Sequence, residues 1–125
     1  FEGMLVIAAA GAYAPNLEQP LPHADFPFDA YDATLNPQVW KRWLAHDPLK
    51  RVQHDPDAFR SHTLVYLDAG THDEHGLQFG ARALHPLLSE RGVNVVFEEF
   101  KGGHRHTSHR YEHSLPLLIG SLSDN

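Results

Sequence analysis

Residues 63–109 read TLVYLDAGTHDEHGLQFGARALHPLLSERGVNVVFEEFKGGHRHTSH, and their pattern predicts strand, turn, helix, strand, turn. Leu64, Val65, Tyr66 and Leu67 form a short apolar run suited to a buried strand of a parallel sheet, and Asp68-Ala69-Gly70-Thr71 turns out of it. Leu77, Ala81, Leu84 and Leu88 recur on one face of a helix that Gly92 stops. Pro86 lies inside that helix and predicts a kink or local opening, because its nitrogen cannot bond the carbonyl of Arg82. Residues 93–100 make the second strand, and Gly102-Gly103 gives a tight turn at its carboxyl end. An acid, Asp73, therefore follows one strand and a histidine, His104, follows the next. Side chains just beyond the carboxyl ends of parallel strands line the site in such sheets, so these two can meet across the intervening helix.

Outward from this stretch, residues 109–122 predict a helix with Tyr111, Leu115, Leu118 and Leu122 on the stripe that packs back on the sheet. Residues 4–9, MLVIAA, are a continuous apolar run that predicts a further buried strand, although a helix start fits a run of this length too. Between lies a segment punctuated by Pro15, Pro20, Pro22, Pro27 and Pro37, which predicts irregular loop. Its Phe26, Phe28 and Tyr31 suit either a lid over a pocket or a staple holding the loop to the body. Asn36-Pro37 has the chemistry of an N-cap followed by a first-turn proline and predicts a helix over 37–45, with Trp40, Trp43 and Leu44 on one face. Asp47-Pro48 repeats the device for a helix over 48–53, and Asp55-Pro56 begins another turn near Ala58. The expected architecture is α/β: three mostly parallel strands with flanking helices. Residues 12–61 supply loop and short helices over the strand ends, and 62–122 supply strand, helix, strand, helix.

Composition narrows the function. A chain of 125 residues fits one modest domain, and 42% hydrophobic content with seven Phe, four Tyr and two Trp supplies core material. A formal net charge of -6 provides no clustered basic face for phosphate backbones, so no nucleic-acid partner is expected. The absence of cysteine excludes disulfides, thiolate metal sites and a Cys nucleophile, and leaves the compartment open with the cytoplasm weakly favoured. The apolar run 4–10 is far shorter than the ~20 residues that span a bilayer, and no basic n-region precedes it, so no membrane association is expected. A chain opening on Phe1 with its first element within four residues reads as part of a longer protein.

Two chemistries compete for the histidines. Asp73 in Gly70-Thr71-His72-Asp73-Glu74-His75 suits either a helix cap or the acid partner of a base, with Glu74 as the competing acid. His104 after two glycines suits a general base presented at the strand ends. The order of acid then histidine after consecutive strands agrees with the Ser, Asp/Glu, His order of α/β-hydrolases. The rival is a metal site, since His104-x-His106-x2-His109-x3-His113, with His72, Asp73 and His75, offers imidazole and carboxylate ligands among eleven histidines. A noncatalytic α/β binding module is the third reading. The reading adopted has no metal and no cofactor.

LVYLDAGTHDEHGLQFGARALHPLL followed by GVNVVFEEFKGGHRHTSHRYEHSLPLL resembles the carboxyl-terminal half of the esterase D-like α/β-hydrolases, which include S-formylglutathione hydrolases, mycolyltransferase-like and enterochelin esterase-like proteins. The resemblance implies a serine carboxylic-ester hydrolase or acyltransferase acting on a small acyl ester, with Asp73 and His104 as the triad acid and histidine. FEGMLVIAAAGAYAPN looks like the segment after the nucleophile helix, with Ala10 where relatives carry serine. Two departures stand out. His106 and His109 lie where many relatives carry Trp, and the G-x-S-x-G nucleophile elbow is absent. The chain alone is thus expected to be inactive, and an exposed sheet edge in such a partial fold is expected to favour homo-oligomers.

Overall fold

The computed structural model describes residues 2–123, and among these it forms six α-helices and a two-stranded parallel sheet. The chain divides into two compact units, one running to Lys50 and the other starting at Arg51.

In the carboxyl-terminal unit, β1 (Val65–Gly70) and β2 (Val95–Phe100) pair in parallel, with Val65 opposite Val95 and Gly70 opposite Phe100. Helix α5 (Leu77–Glu90) connects them and continues through Pro86. Alternation along each strand gives the sheet two different faces. Val65, Leu67 and Val95 face a core of Val52, Leu88 and Val93, joined by Leu84, Leu87 and Phe59. Leu88 and Val52 are fully buried. The other face carries Tyr66, Asp68 and Glu98, which meet Arg110. Helix α4 (Pro56–Arg60) is capped by the Asp55 carboxylate, which accepts from the Ala58 amide at 3.3 Å. Helix α3 (Pro48–His54) carries buried Val52.

Downstream, a 3₁₀ turn (Ser108–Arg110) leads into α6 (Tyr111–Ser123). The expected inward stripe of α6 is corrected: Tyr111, Leu115 and Leu122 are exposed, while Ser114 is buried and Leu118 half-buried. Arg110 sets this rotation. Its guanidinium is drawn to the carboxylates of the sheet, and the helical period from there carries Ser114, Leu118 and Ser121 inward.

In the amino-terminal unit, the expected strand over residues 4–9 is a helix, α1 (Glu2–Tyr13), so the sheet has two strands rather than three. EGMLVIAAAGAY contains Met, Leu and four Ala, all strong helix formers, and its 12 residues exceed the usual span of a buried strand. The apolar side chains are not enclosed as expected of a buried strand: Met4 is 74% exposed. Helix α2 (Pro37–Leu44) starts where the sequence predicts, with the Asn36 side chain accepting from the Gln38 and Val39 amides. The proline-rich loop is tied by Asp25, which accepts from Arg42 at 2.8 Å and Asn16 at 2.9 Å. Tyr31 is 99% exposed and covers nothing, whereas Phe26 and Phe28 pack on each other with ring centres 6.3 Å apart.

Candidate active site

The two turns beyond β1 and β2 are strapped together by backbone. The Thr71 amide donates to the Phe100 carbonyl and the His72 amide to the Gly102 carbonyl, both at 2.9 Å. This approach requires glycine: a Cβ on Gly70 would collide with the Gly102 carbonyl and lie 2.7 Å from that of Gly103. The strap brings the segment after β1 against the segment after β2.

Asp73 and His104 meet there. The Asp73 Oδ2 lies 3.2 Å from the His104 Nδ1 across 31 positions of sequence. The Asp73 Oδ1 accepts from the His75 amide at 2.8 Å, so one carboxylate holds both its own turn and the ring. The helix-cap alternative is corrected: Gly76 is the N-cap of α5 and no side chain caps it, so the Asp73 carboxylate fastens the preceding turn and contacts the His104 ring. Burial opposes ionisation of Asp73, but the amides of His75 and Leu77 and the His104 ring outweigh it and hold the carboxyl below the usual aspartate value. An ionised carboxylate only accepts, so the Nδ1 of His104 is the donor in this contact. Asp73's side chain is 5% exposed and that of His104 46%, so the acid is covered while the base remains reachable. The His75 ring packs edge-on against that of His104, centres 4.9 Å apart.

Glu74 does not compete for the ring. Its Oε2 accepts from the His104 backbone amide at 3.0 Å. That bond is the main reason its carboxyl sits below the usual glutamate value. A Cβ on Gly103 would stand 2.7 Å from the Glu74 Oε2, the movable tip of that side chain, and would displace it.

The remaining histidines do not join. The His72 Nδ1 pairs with the Thr71 hydroxyl at 2.9 Å. His109 sits in the 3₁₀ turn, where its Nδ1 meets the His106 carbonyl at 3.1 Å and its ring packs on Phe100, so His109 and His113 do not share one α-helix face. Among the described residues, no three His, Asp or Glu side chains stand together in a way that would hold a metal ion. None of the described helices is long and apolar enough to cross a membrane.

Sequence reasoning missed a second charged cluster. Arg110 donates to Asp68 at 3.0 Å, to Glu98 at 2.5 Å and to the Tyr66 hydroxyl at 3.1 Å, and its guanidinium lies 4.9 Å from the centre of the Phe100 ring. Asp68 and Glu98 are direct partners in the strand register, where like charges repel. Arg110 neutralises them. Burial opposes its charge, but Asp68, Glu98 and Tyr66 outweigh that and raise its pKa further. The signal was available as polar residues at 66, 68 and 98 inside apolar strands.

Two clefts lie outside the dyad. One of about 410 Å³ runs along the sheet face beside Tyr66, Asp68, Arg110 and Leu118. A larger one, about 1010 Å³, belongs to the amino-terminal unit and is lined by Val6, Ile7, Phe26 and Phe28 with Asp29 and Asp32. Asp25 also lines it, and all three carboxylates are engaged: Asp25 by Arg42 at 2.8 Å, Asp29 by the Tyr31 amide at 2.7 Å and Asp32 by the Thr34 amide at 2.8 Å. No histidine is among its lining residues. No family model matches this chain, and no curated protein matches it.

Proposed function

We propose that this chain supplies the acid and base of a serine ester hydrolase or acyltransferase, with the partial α/β-hydrolase fold that its sequence resembles. The observation that carries the reading is the 3.2 Å contact between the Asp73 carboxylate and the His104 Nδ1 at the ends of adjacent parallel strands. Asp73 fixes the ring's tautomer and stabilises its charged form. The free Nε2 takes the proton of a serine as it attacks an acyl carbonyl, and returns it to the leaving alcohol. The nucleophile itself is required from a G-x-S-x-G elbow, which these 125 residues do not contain.

The substrate class is a small acyl ester, and the chain by itself turns over none. Each strand of the two-stranded sheet has one edge without a strand partner among the described residues, which supports association with a second copy or an elbow-bearing segment. Light scattering tests this, and a monodisperse monomer counts against association. The test of function is hydrolysis of p-nitrophenyl acetate by a polypeptide that joins this chain to an upstream elbow. Serine-directed fluorophosphonate labelling and turnover are expected there and not in the 125-residue chain. Turnover by the 125-residue chain at the same rate, or an upstream sequence without the elbow, overturns the proposal.

A further inference from the structure

The two adjacent acids Asp73 and Glu74 both reach the same histidine, by different atoms. Asp73 takes the ring nitrogen at 3.2 Å, and Glu74 takes the backbone amide at 3.0 Å. We propose that Glu74 is a positioning residue that locks the Gly102-Gly103-His104 turn, so that the His104 ring presents Nδ1 to Asp73 and leaves Nε2 open. This rests on reading Asp73 and His104 as the acid–base pair.

The turn needs such a lock. Two successive glycines have the widest backbone freedom of any pair, and they precede a half-exposed ring held at its sides by Asp73 and the edge-on His75 ring. A charged acceptor on a backbone amide is the stronger kind of hydrogen bond, and it fixes the main chain directly before Cα of His104. A Cβ on Gly103 would stand 2.7 Å from the Oε2, so a side chain there would push the carboxylate off its place beside the amide. The backbone bond from His72 to Gly102 restrains the start of the turn, and Glu74 restrains its end. The carboxylate therefore acts on the ring through the main chain and does not touch a reacting atom.

Nitrogen-15 NMR of the 125-residue chain at neutral pH reads which ring nitrogen of His104 carries the proton. In Glu74→Ala the proton is expected to move from Nδ1 toward the Nε2 preference of free histidine. Glu74→Gln is expected to rescue the Nδ1 form, since an amide oxygen accepts the same backbone bond. A folded Glu74→Ala chain with the wild-type tautomer overturns the proposal. Should that variant not fold, the wild-type His104 backbone amide decides: it is expected to shift as Glu74 protonates, below the usual glutamate value, and to lose that response in Glu74→Gln. An unresponsive wild-type amide, or an equal response in Glu74→Gln, also overturns it. None of these readouts needs a nucleophile, so they decide the role of Glu74 separately from the esterase reading, which the elbow experiment decides.

Discussion

Two clusters on the same pair of strands each combine two carboxylates with one nitrogen base, and they differ in what is left over. On the sheet face, Arg110 is 11% exposed and spends its donors on Asp68, Glu98 and Tyr66. At the strand ends, His104 is 46% exposed and commits only Nδ1. A guanidinium stays protonated at any ordinary pH, so the first cluster cannot move a proton. An imidazole nitrogen can carry either a proton or a lone pair, so the second cluster has a group able to pass one on. Exposure and an uncommitted ring nitrogen, more than the charges themselves, set the second cluster apart from the first.

The widest gap between the clusters is expected in turnover. In a polypeptide carrying the nucleophile elbow, His104→Ala is expected to lower ester turnover by roughly four orders of magnitude, measured as initial rates at saturating p-nitrophenyl acetate. Equal losses in a folded Arg110→Lys variant would erase the distinction. Thermal stability is expected to invert the ranking. Arg110→Ala leaves Asp68 opposite Glu98 with no counter-charge, and is expected to lower Tm by roughly 10 °C. Calorimetry showing a smaller loss than for His104→Ala would contradict it.

Gly70 joins the two regions, because it ends β1 and permits the crossing of the two turns. Gly70→Ala is expected to destabilise by roughly 1–3 kcal/mol, read as a lower urea midpoint, and to weaken the contact between Asp73 and His104 as well. The smallest effect is the pH response. Asp73, Glu74 and Glu98 are all held below their usual values, in Glu98 chiefly by the Tyr66 hydroxyl and Arg110. The folded chain then binds fewer protons than the unfolded chain in the acid range. Their stabilisation is complete above the unfolded values and is lost as pH falls through the folded ones. Urea midpoints across that range are expected to fall with pH, and Glu98→Gln is expected to flatten the slope.

Much of this was legible in the sequence, for local reasons. Asn36-Pro37 and Asp55-Pro56 place their helix starts because the capping chemistry is contained in a few neighbouring residues. The dyad was legible because the strand ends fix where Asp73 and His104 emerge. The segment MLVIAA was not, since an apolar run of that length serves either a strand or a helix, and its alanines decide for helix. The rotation of α6 was hidden as well. Its apolar stripe points one way, and a single Arg110 seeking two carboxylates on the sheet turns it the other. In the sequence Glu74 rivals Asp73, because spacing does not distinguish a carboxylate bound to a ring from one bound to the amide behind it.

The most direct test of the account is the tautomer of His104 in Asp73→Asn. The amide oxygen at position 73 would keep the bond from the His75 backbone, turning its NH2 group toward the His104 Nδ1. The ring proton is expected on Nδ1 in the wild-type chain and on Nε2 in the variant, the arrangement in which Nε2 could not act as a base. A wild-type ring protonated on Nε2, or a tautomer unchanged by the substitution, would contradict it.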